Sequence, residues 1–264
     1  MTAPAPPTAA HLFDLTGEVA LVTGASSGLG ARFARVLAAN GASVVLAARR
    51  VERLGALAAD IRAGGGQAIA VACDVADTGS VEAAHDAAER AFGLVTLAVA
   101  NAGIADEGRA IETDDARFRA VMDINVEGVF RVARATARRL IAAGKPGSIV
   151  VTGSILGLGV TRGVVAYSTS KAAVLHMTKA LGVEWASKGV RVNALAPGYF
   201  ATEINAAFLA SEAGRRIVEA VPQRRVGGEG DLDGPLLLLA SPRASGYMTG
   251  SVVVVDGGHV LPIA

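Results

Sequence analysis

Hydrophobic positions along this chain fall into two alternating patterns. Seven short runs are apolar on successive residues and rich in Val, Ile and Ala: "VALVTG" from Val19, "SVVLAA" from Ser43, "QAIAVACDV" from Gln67, "LVTLAVANAG" from Leu94, "GSIVVTGS" from Gly147, "VRVNALAPG" from Val190 and "SVVVVDGG" from Ser251. A strand with one wet face alternates apolar and polar residues. A strand buried on both faces does not, so these runs predict the strands of a parallel sheet. Between them lie segments with helical spacing, such as "LGARFARVLAANG" and "SVEAAHDAAERAFG", each ending at a Gly that can stop a helix. Strand and helix in strict alternation predict an α/β fold: a doubly wound, seven-stranded parallel sheet with right-handed crossovers.

One break interrupts this rhythm. From Pro197 to about Val226 the chain offers no strand, and a segment of that length after a strand's carboxyl end is placed to act as a lid, expected around 198–226. The first 13 residues are rich in Pro and Ala and are expected to form a loose tail, leaving one domain over 14–264. Composition narrows the function. Of 264 residues, 52% are hydrophobic and 19% charged, and the net charge of +1 leaves no electrostatic footprint for nucleic acid or an anionic membrane. No apolar run reaches membrane-spanning length and no secretory signal opens the chain, so a cytoplasmic location is expected. Cys73 is the only cysteine, which rules out an intrachain disulfide. The four histidines, His11, His85, His176 and His259, show no metal-ligand spacing, and no metal site is expected.

The candidate chemistry sits at strand ends. The first strand runs into "TGASSGLG", with Gly24, Gly28 and Gly30. Glycines there permit a tight strand-to-helix turn and close backbone approach to a pyrophosphate, while the helix N-terminus offers free N–H groups. Ser26 and Ser27 add hydroxyls and Leu29 opens the helix. The third strand ends near Asp74 and Val75, where the carboxylate can bond an adenine amine, and the fourth in Asn101, Ala102 and Gly103. Each alone is an ordinary strand-end residue; together they line the edge where a dinucleotide lies in such sheets. Tyr167 and Lys171, in "YSTSK", are four apart and share a helix face. From spacing alone the better reading is a solvated edge, with a half-buried phenol and a lysine reaching water.

In order, "TGASSGLG", "NAG", the Asn of "DINVEGVF", the Ser of "VTGS", "YSTSK" and "APG" resemble the short-chain dehydrogenase/reductase family from about Leu15 to the final "VDGG". The likeness implies a Rossmann-type fold and an enzyme that moves a hydride between a nicotinamide and a secondary alcohol or ketone. It implies that Asn125, Ser154, Tyr167 and Lys171 are catalytic. Tyr167 would carry the proton, with its pKa lowered by Lys171; Lys171 would also bind the nicotinamide ribose; Ser154 would bond the substrate oxygen; Asn125 would hold a water. Pro197 and Gly198 would border the nicotinamide, and Thr202 would hold its carboxamide. "VANAG" departs from the family's usual N-N-A-G at Ala100.

The second strand ends "AARRVER". Ala48 stands where NAD-using relatives carry an acid, and Arg49 and Arg50 follow. Two cations at a helix start are unfavourable without an anion, and a guanidinium suits a 2′-phosphate, so NADP(H) is expected to be preferred, with NAD(H) possible. The small-molecule substrate implied by the likeness is a 3-oxoacyl thioester or a sugar or polyol, with "LGVEWASKGVRVNALAPGYFATEIN" leaning toward polyols and gluconate. The rival is a non-catalytic dinucleotide sensor or scaffold, against which the full Asn, Ser, Tyr, Lys set argues. The low charge fraction, the apolar C-terminal region and the likeness together imply a homotetramer.

Overall fold

A computed structural model describes residues 6–201, 209, 211–228 and 230–261. Its strands are β1 (Val19–Thr23), β2 (Ser43–Ala48), β3 (Gln67–Ala72), β4 (Leu97–Ala100), β5 (Gly147–Thr152), β6 (Val190–Pro197) and β7 (Val252–Val255). They form one sheet in the order β3-β2-β1-β4-β5-β6-β7, with every pair parallel. The continuous apolar runs have the expected cause. Alternate residues of each strand enter different cores, one on each face: Ala20 and Val22 join Phe33, Leu54 and Leu236, whereas Val19 and Leu21 join Val132, Val174 and Leu140. Helices α2 (Gly28–Ala39), α3 (Val51–Ala63) and the helix Asp233–Ala240 cover the first face. Helices α4 (Thr78–Ala91), α6 (Gly128–Ala142) and α7 (Val165–Trp185) cover the second.

Strand order reverses direction between β1 and β4, which opens a crevice at the carboxyl edge of the sheet. The two strands are stitched there by Thr23. Its hydroxyl donates to the Val99 carbonyl at 3.3 Å and accepts the N–H groups of Asn101 at 3.1 Å and Ala102 at 3.2 Å. Asn101 completes the stitch: its amide donates to the Thr23 carbonyl and accepts from the Thr152 hydroxyl, binding β1, β4 and β5 at their ends.

The N-terminal stretch expected to be loose carries one helical turn, α1 (Ala9–Leu12), capped by Thr8. The Leu12 carbonyl accepts a 2.5 Å bond from the Ser241 hydroxyl, which ties this end to the domain. Residues 1–5 lie outside the described residues. The segment expected to be a lid contains a helix at Glu212–Ala220, and Phe200 bridges Gly227. Its residues 202–208 and 210, Thr202 among them, lie outside the described residues. Among the described residues no helix is long and apolar enough to cross a membrane.

The Thr23 stitch yields a stability test. Thr23→Val keeps the shape but strips the acceptor from two backbone N–H groups in an interior position, so unfolding free energy should fall by about 1–3 kcal/mol. Thr23→Ser should recover most of that loss. Urea melts of the three proteins measure it, and a Thr23→Val protein as stable as the original would remove Thr23 as the stitch.

Candidate active site

The crevice is a cleft of about 430 Å³. Gly24, Ser26, Ser27, Gly28, Leu29 and Gly30 form its floor at the start of α2. Close approach is built in there: a side-chain carbon at Gly30 would overlap the Gly24 carbonyl oxygen and stand 2.6 Å from the Asn101 amide nitrogen, and Gly24 has φ +68°. Ser27, the N-cap of α2, makes no side-chain capping bond, so the N–H groups of the first turn keep their capacity for an anion. Asp74, Val75, Ala102 and Gly103 line the cleft farther along, and Pro197 and Gly198 close its other side. The cradle therefore fits a dinucleotide: bare backbone and donors at one end, apolar and carboxylate groups at the other.

Asn101 lines the cleft between the glycine turn and Gly103, and its amide also ties the strand ends together, as described above. Of the two arginines after β2, only Arg50 is organised: its Nη2 donates to the hydroxyls of Ser26 at 2.9 Å and Ser27 at 3.1 Å, bringing a guanidinium over the glycine turn. Both arginines are exposed and line the cleft.

At the far end of the cleft, β5 delivers Ser154 and α7 delivers Tyr167 and Lys171. The Ser154 hydroxyl accepts from the Leu156 N–H at 3.1 Å, capping the tight turn Ile155–Gly157. The Tyr167 phenol stands beside it, close enough for the Ser154 hydroxyl to draw the phenol's pKa down. That turn lies flat on α7 because Gly157 has no side chain; a carbon there would sit 2.7 Å from the Lys171 carbonyl. Lys171 is 4% exposed. Its ammonium donates to the Thr152 carbonyl at 2.8 Å and lies 5.5 Å from the centre of the Tyr167 ring. Burial pulls its pKa down to about 8.

The phenol behaves differently from expectation. Lys171 was expected to lower it, and its ammonium stands 5.5 Å from the ring centre. Burial pushes Tyr167 up, the Ser154 hydroxyl draws it back, and the neighbouring Tyr199 adds to the rise.

Asn125 is completely buried in a π-helical stretch, Asp123–Glu127, between α5 (Asp115–Met122) and α6. Wide turns of this kind occur often at functional sites. Its Oδ1 accepts from the Ile104 N–H at 2.8 Å, and its Nδ2 donates to the Ile104 carbonyl at 2.9 Å and the Ser170 hydroxyl at 3.0 Å. Ser170 in turn donates to the Tyr167 carbonyl at 2.7 Å. Asn125 thus joins the loop after β4 to the helix turn that carries Tyr167 and Lys171. The structure brings Asn125, Ser154, Tyr167 and Lys171 to one end of one cleft.

Three contributors escaped the sequence reading. Thr152 acts through its carbonyl, which no residue type announces. Ser170 lies three places beyond Tyr167, on its face of the helix, and that spacing was a usable signal. Tyr199, directly after the "PG" that closes the cleft, was another.

The family described as short chain dehydrogenase matches residues 18–213. The chain is 42% identical to galactitol 2-dehydrogenase (L-tagatose-forming) of Cereibacter sphaeroides over 95% of its own length and 98% of that protein's. It is 37% identical to L-rhamnose 1-dehydrogenase (NAD(P)(+)) of Azotobacter vinelandii, covering 92% and 97%. Among solved structures, a gluconate 5-dehydrogenase from Burkholderia cenocepacia in complex with NADP and tartrate superposes with a TM-score of 0.92 at 35% identity, over 97% of this chain and 100% of that one.

Proposed function

Because this chain belongs to the short-chain dehydrogenase family, and is thus an NAD(P)-dependent oxidoreductase acting on CH–OH groups, we propose that it interconverts a secondary alcohol and a ketone of a sugar, polyol or sugar acid. The observation that carries this reading is the buried chain of Ser154, Tyr167 and Lys171 at the open end of the glycine cradle. The relatives with sugar substrates support the substrate class.

The cradle residues Gly24, Ser26, Ser27, Gly28, Leu29 and Gly30 hold the pyrophosphate. Asp74 and Val75 border the adenine, and Tyr167, Lys171, Pro197 and Gly198 border the nicotinamide riboside. When bound, the nicotinamide gives a hydride to the carbonyl carbon or takes one from the carbinol carbon. Tyr167 moves the proton on the oxygen of that carbon. Ser154, beside the phenol, donates to the same oxygen as negative charge grows on it. Lys171, whose ammonium is destabilised by burial, is a ready proton source for the Tyr167 oxygen. Asn125 and Ser170 hold the helix turn that carries both.

Tyr167→Phe removes the proton carrier alone. Its kcat should fall by roughly 10²–10⁴-fold while NADPH binding, read by quenching of nicotinamide fluorescence, stays unchanged. A variant that keeps most of the turnover would overturn this assignment.

The preferred cofactor is NADP(H). Arg50, anchored by Ser26 and Ser27, presents a guanidinium suited to a 2′-phosphate, and no carboxylate stands at the end of β2 to repel one. Arg49 adds charge beside it. The kcat/KM for NADPH should exceed that for NADH, and Arg50→Ala should lower the ratio by about tenfold or more, the weight of a charge-assisted hydrogen bond. Equal or better use of NADH by the unaltered enzyme contradicts the preference.

The enzyme works as a homotetramer in the cytoplasm. Exposed apolar side chains support the assembly: Phe130 and Ile141 on α6, Val165 and Val183 on α7, Val254 on β7 and the fully exposed Tyr247. Two different self-complementary faces generate dihedral symmetry. The lone cysteine, buried at Cys73, suits a reducing compartment. Light scattering should report four chains per particle; a monomer at micromolar concentration refutes the assembly.

A further inference from the structure

Arg131 lies on α6, one turn beyond the π-helical stretch Asp123–Glu127, and its side chain is 15% exposed. Its guanidinium spans that stretch. Nη1 donates to the Asp123 carboxylate at 2.8 Å and meets the Asp123 carbonyl at 3.4 Å, and Nη2 donates to the Glu127 carboxylate at 2.7 Å. The Asp123 carbonyl is the one that closes the wide turn, by accepting the Gly128 N–H. Nη1 also reaches off the helix: it donates to the Val75 carbonyl at 3.2 Å, just past the end of β3. One planar group thus fastens the first and last residues of the wide turn to a separate part of the chain. The five N–H donors of a guanidinium suit that task.

Both ends of this tie belong to the cleft. Val75 lines it beside Asp74, and Ile124, inside the wide turn, lines it too. Asn125 follows Ile124 and holds Ile104 and Ser170. The two ends are also packed together: a side-chain carbon at Gly128 would stand 2.8 Å from the Val75 side chain. Wide turns are rare within helices, and this one draws support from outside the helix ladder. Arg131 supplies that support from Val75, while the guanidinium itself stays out of the cleft lining.

We propose that Arg131 is a positioning residue whose one side chain holds Val75, at the adenine wall, in register with the wide turn that carries Asn125, at the catalytic end. The assignment rests on the reading of the cleft as a dinucleotide site. Arg131 acts through Val75 on one side and through Asn125 on the other. The adenosine half of the cofactor and the catalytic end therefore share one support, and loosening it is felt at both.

Two measurements test it, and neither needs turnover, so a failed substrate assignment leaves both standing. Arg131→Met keeps an apolar stem and removes every donor. NADPH, followed by nicotinamide fluorescence, should bind about fivefold more weakly, the net weight of one hydrogen bond. The second measurement follows the side-chain amide of Asn125, one of five asparagines in the chain and assignable in NMR spectra by Asn125→Ala. In Arg131→Met its hydrogen exchange should quicken about tenfold or more. The amide of Asn193, buried on β6 and bonded to the Met248 carbonyl at 2.9 Å, should exchange as before. Arg131→Lys keeps a charge between the two carboxylates and should recover part of both losses. An unchanged dissociation constant, an unchanged Asn125 amide, or an equal quickening at Asn193 overturns the proposal. If the unaltered protein fails to bind NADPH, the dinucleotide reading falls and the amides alone decide: a quickened Asn125 keeps Arg131 as the support of the turn, and an unchanged one removes it.

Discussion

The ammonium of Lys171, buried on the carbonyl of Thr152, is the contact around which the site is organised. A lysine there is costly; burial pulls its pKa down to about 8, and among the described residues no carboxylate offsets it. The sign of the cost follows. An unfolded lysine titrates near 10.4, so below pH 8 both states are charged and folding bears the full penalty of hiding the charge. Between pH 8 and about 10.4 that penalty fades, because the native lysine is already neutral. A group kept at such expense is a group in use. Near neutral pH it still carries a proton, yet holds it loosely.

Everything near Lys171 serves its placement. The carbonyl that receives it ends β5, and the register of β5 with β4 and β6 fixes where that carbonyl points. Thr23 and Asn101 tie those strand ends together, and Thr152 is itself a partner of Asn101. Gly157 lets the Ser154 turn lie flat on α7, and Asn125 braces the opposite side through Ser170. The active site is thus a consequence of two rigid elements, a strand end and a helix face, and neither Tyr167 nor Lys171 depends on a loop for its position.

The fold was legible because strands buried on both faces write near-continuous apolar runs, as β1, β2, β4 and β5 do, while the edge strands β3 and β7 are only partly buried and β6 carries Arg191 and Asn193. The family likeness rested on Tyr167, Lys171, Ser154 and Asn125, and the structure brings all four to one place. What escaped was carried by backbone or by distance. The carbonyl of Thr152 has no signature in residue type. Asn101 lines the cleft as its strand-end position implies, but the bonds of its amide to Thr23 and Thr152 have no signature in the sequence. Nothing in "DINVEGVF" announces the wide turn that buries Asn125. Arg49 and Arg50 read alike in sequence, and only the turn of the chain gives Arg50 its serine partners. The ionisation of Tyr167 followed burial, which spacing along a helix does not reveal.

The central claim is that Lys171 is a buried, weakly held proton donor rather than a lysine reaching water. The chain has only four lysines, Lys145, Lys171, Lys179 and Lys188, so a pH titration of 13Cε-labelled lysine followed by NMR can resolve each. The account predicts one resonance with a midpoint near pH 8, absent from Lys171→Arg. Four lysines titrating together above pH 10 would contradict it.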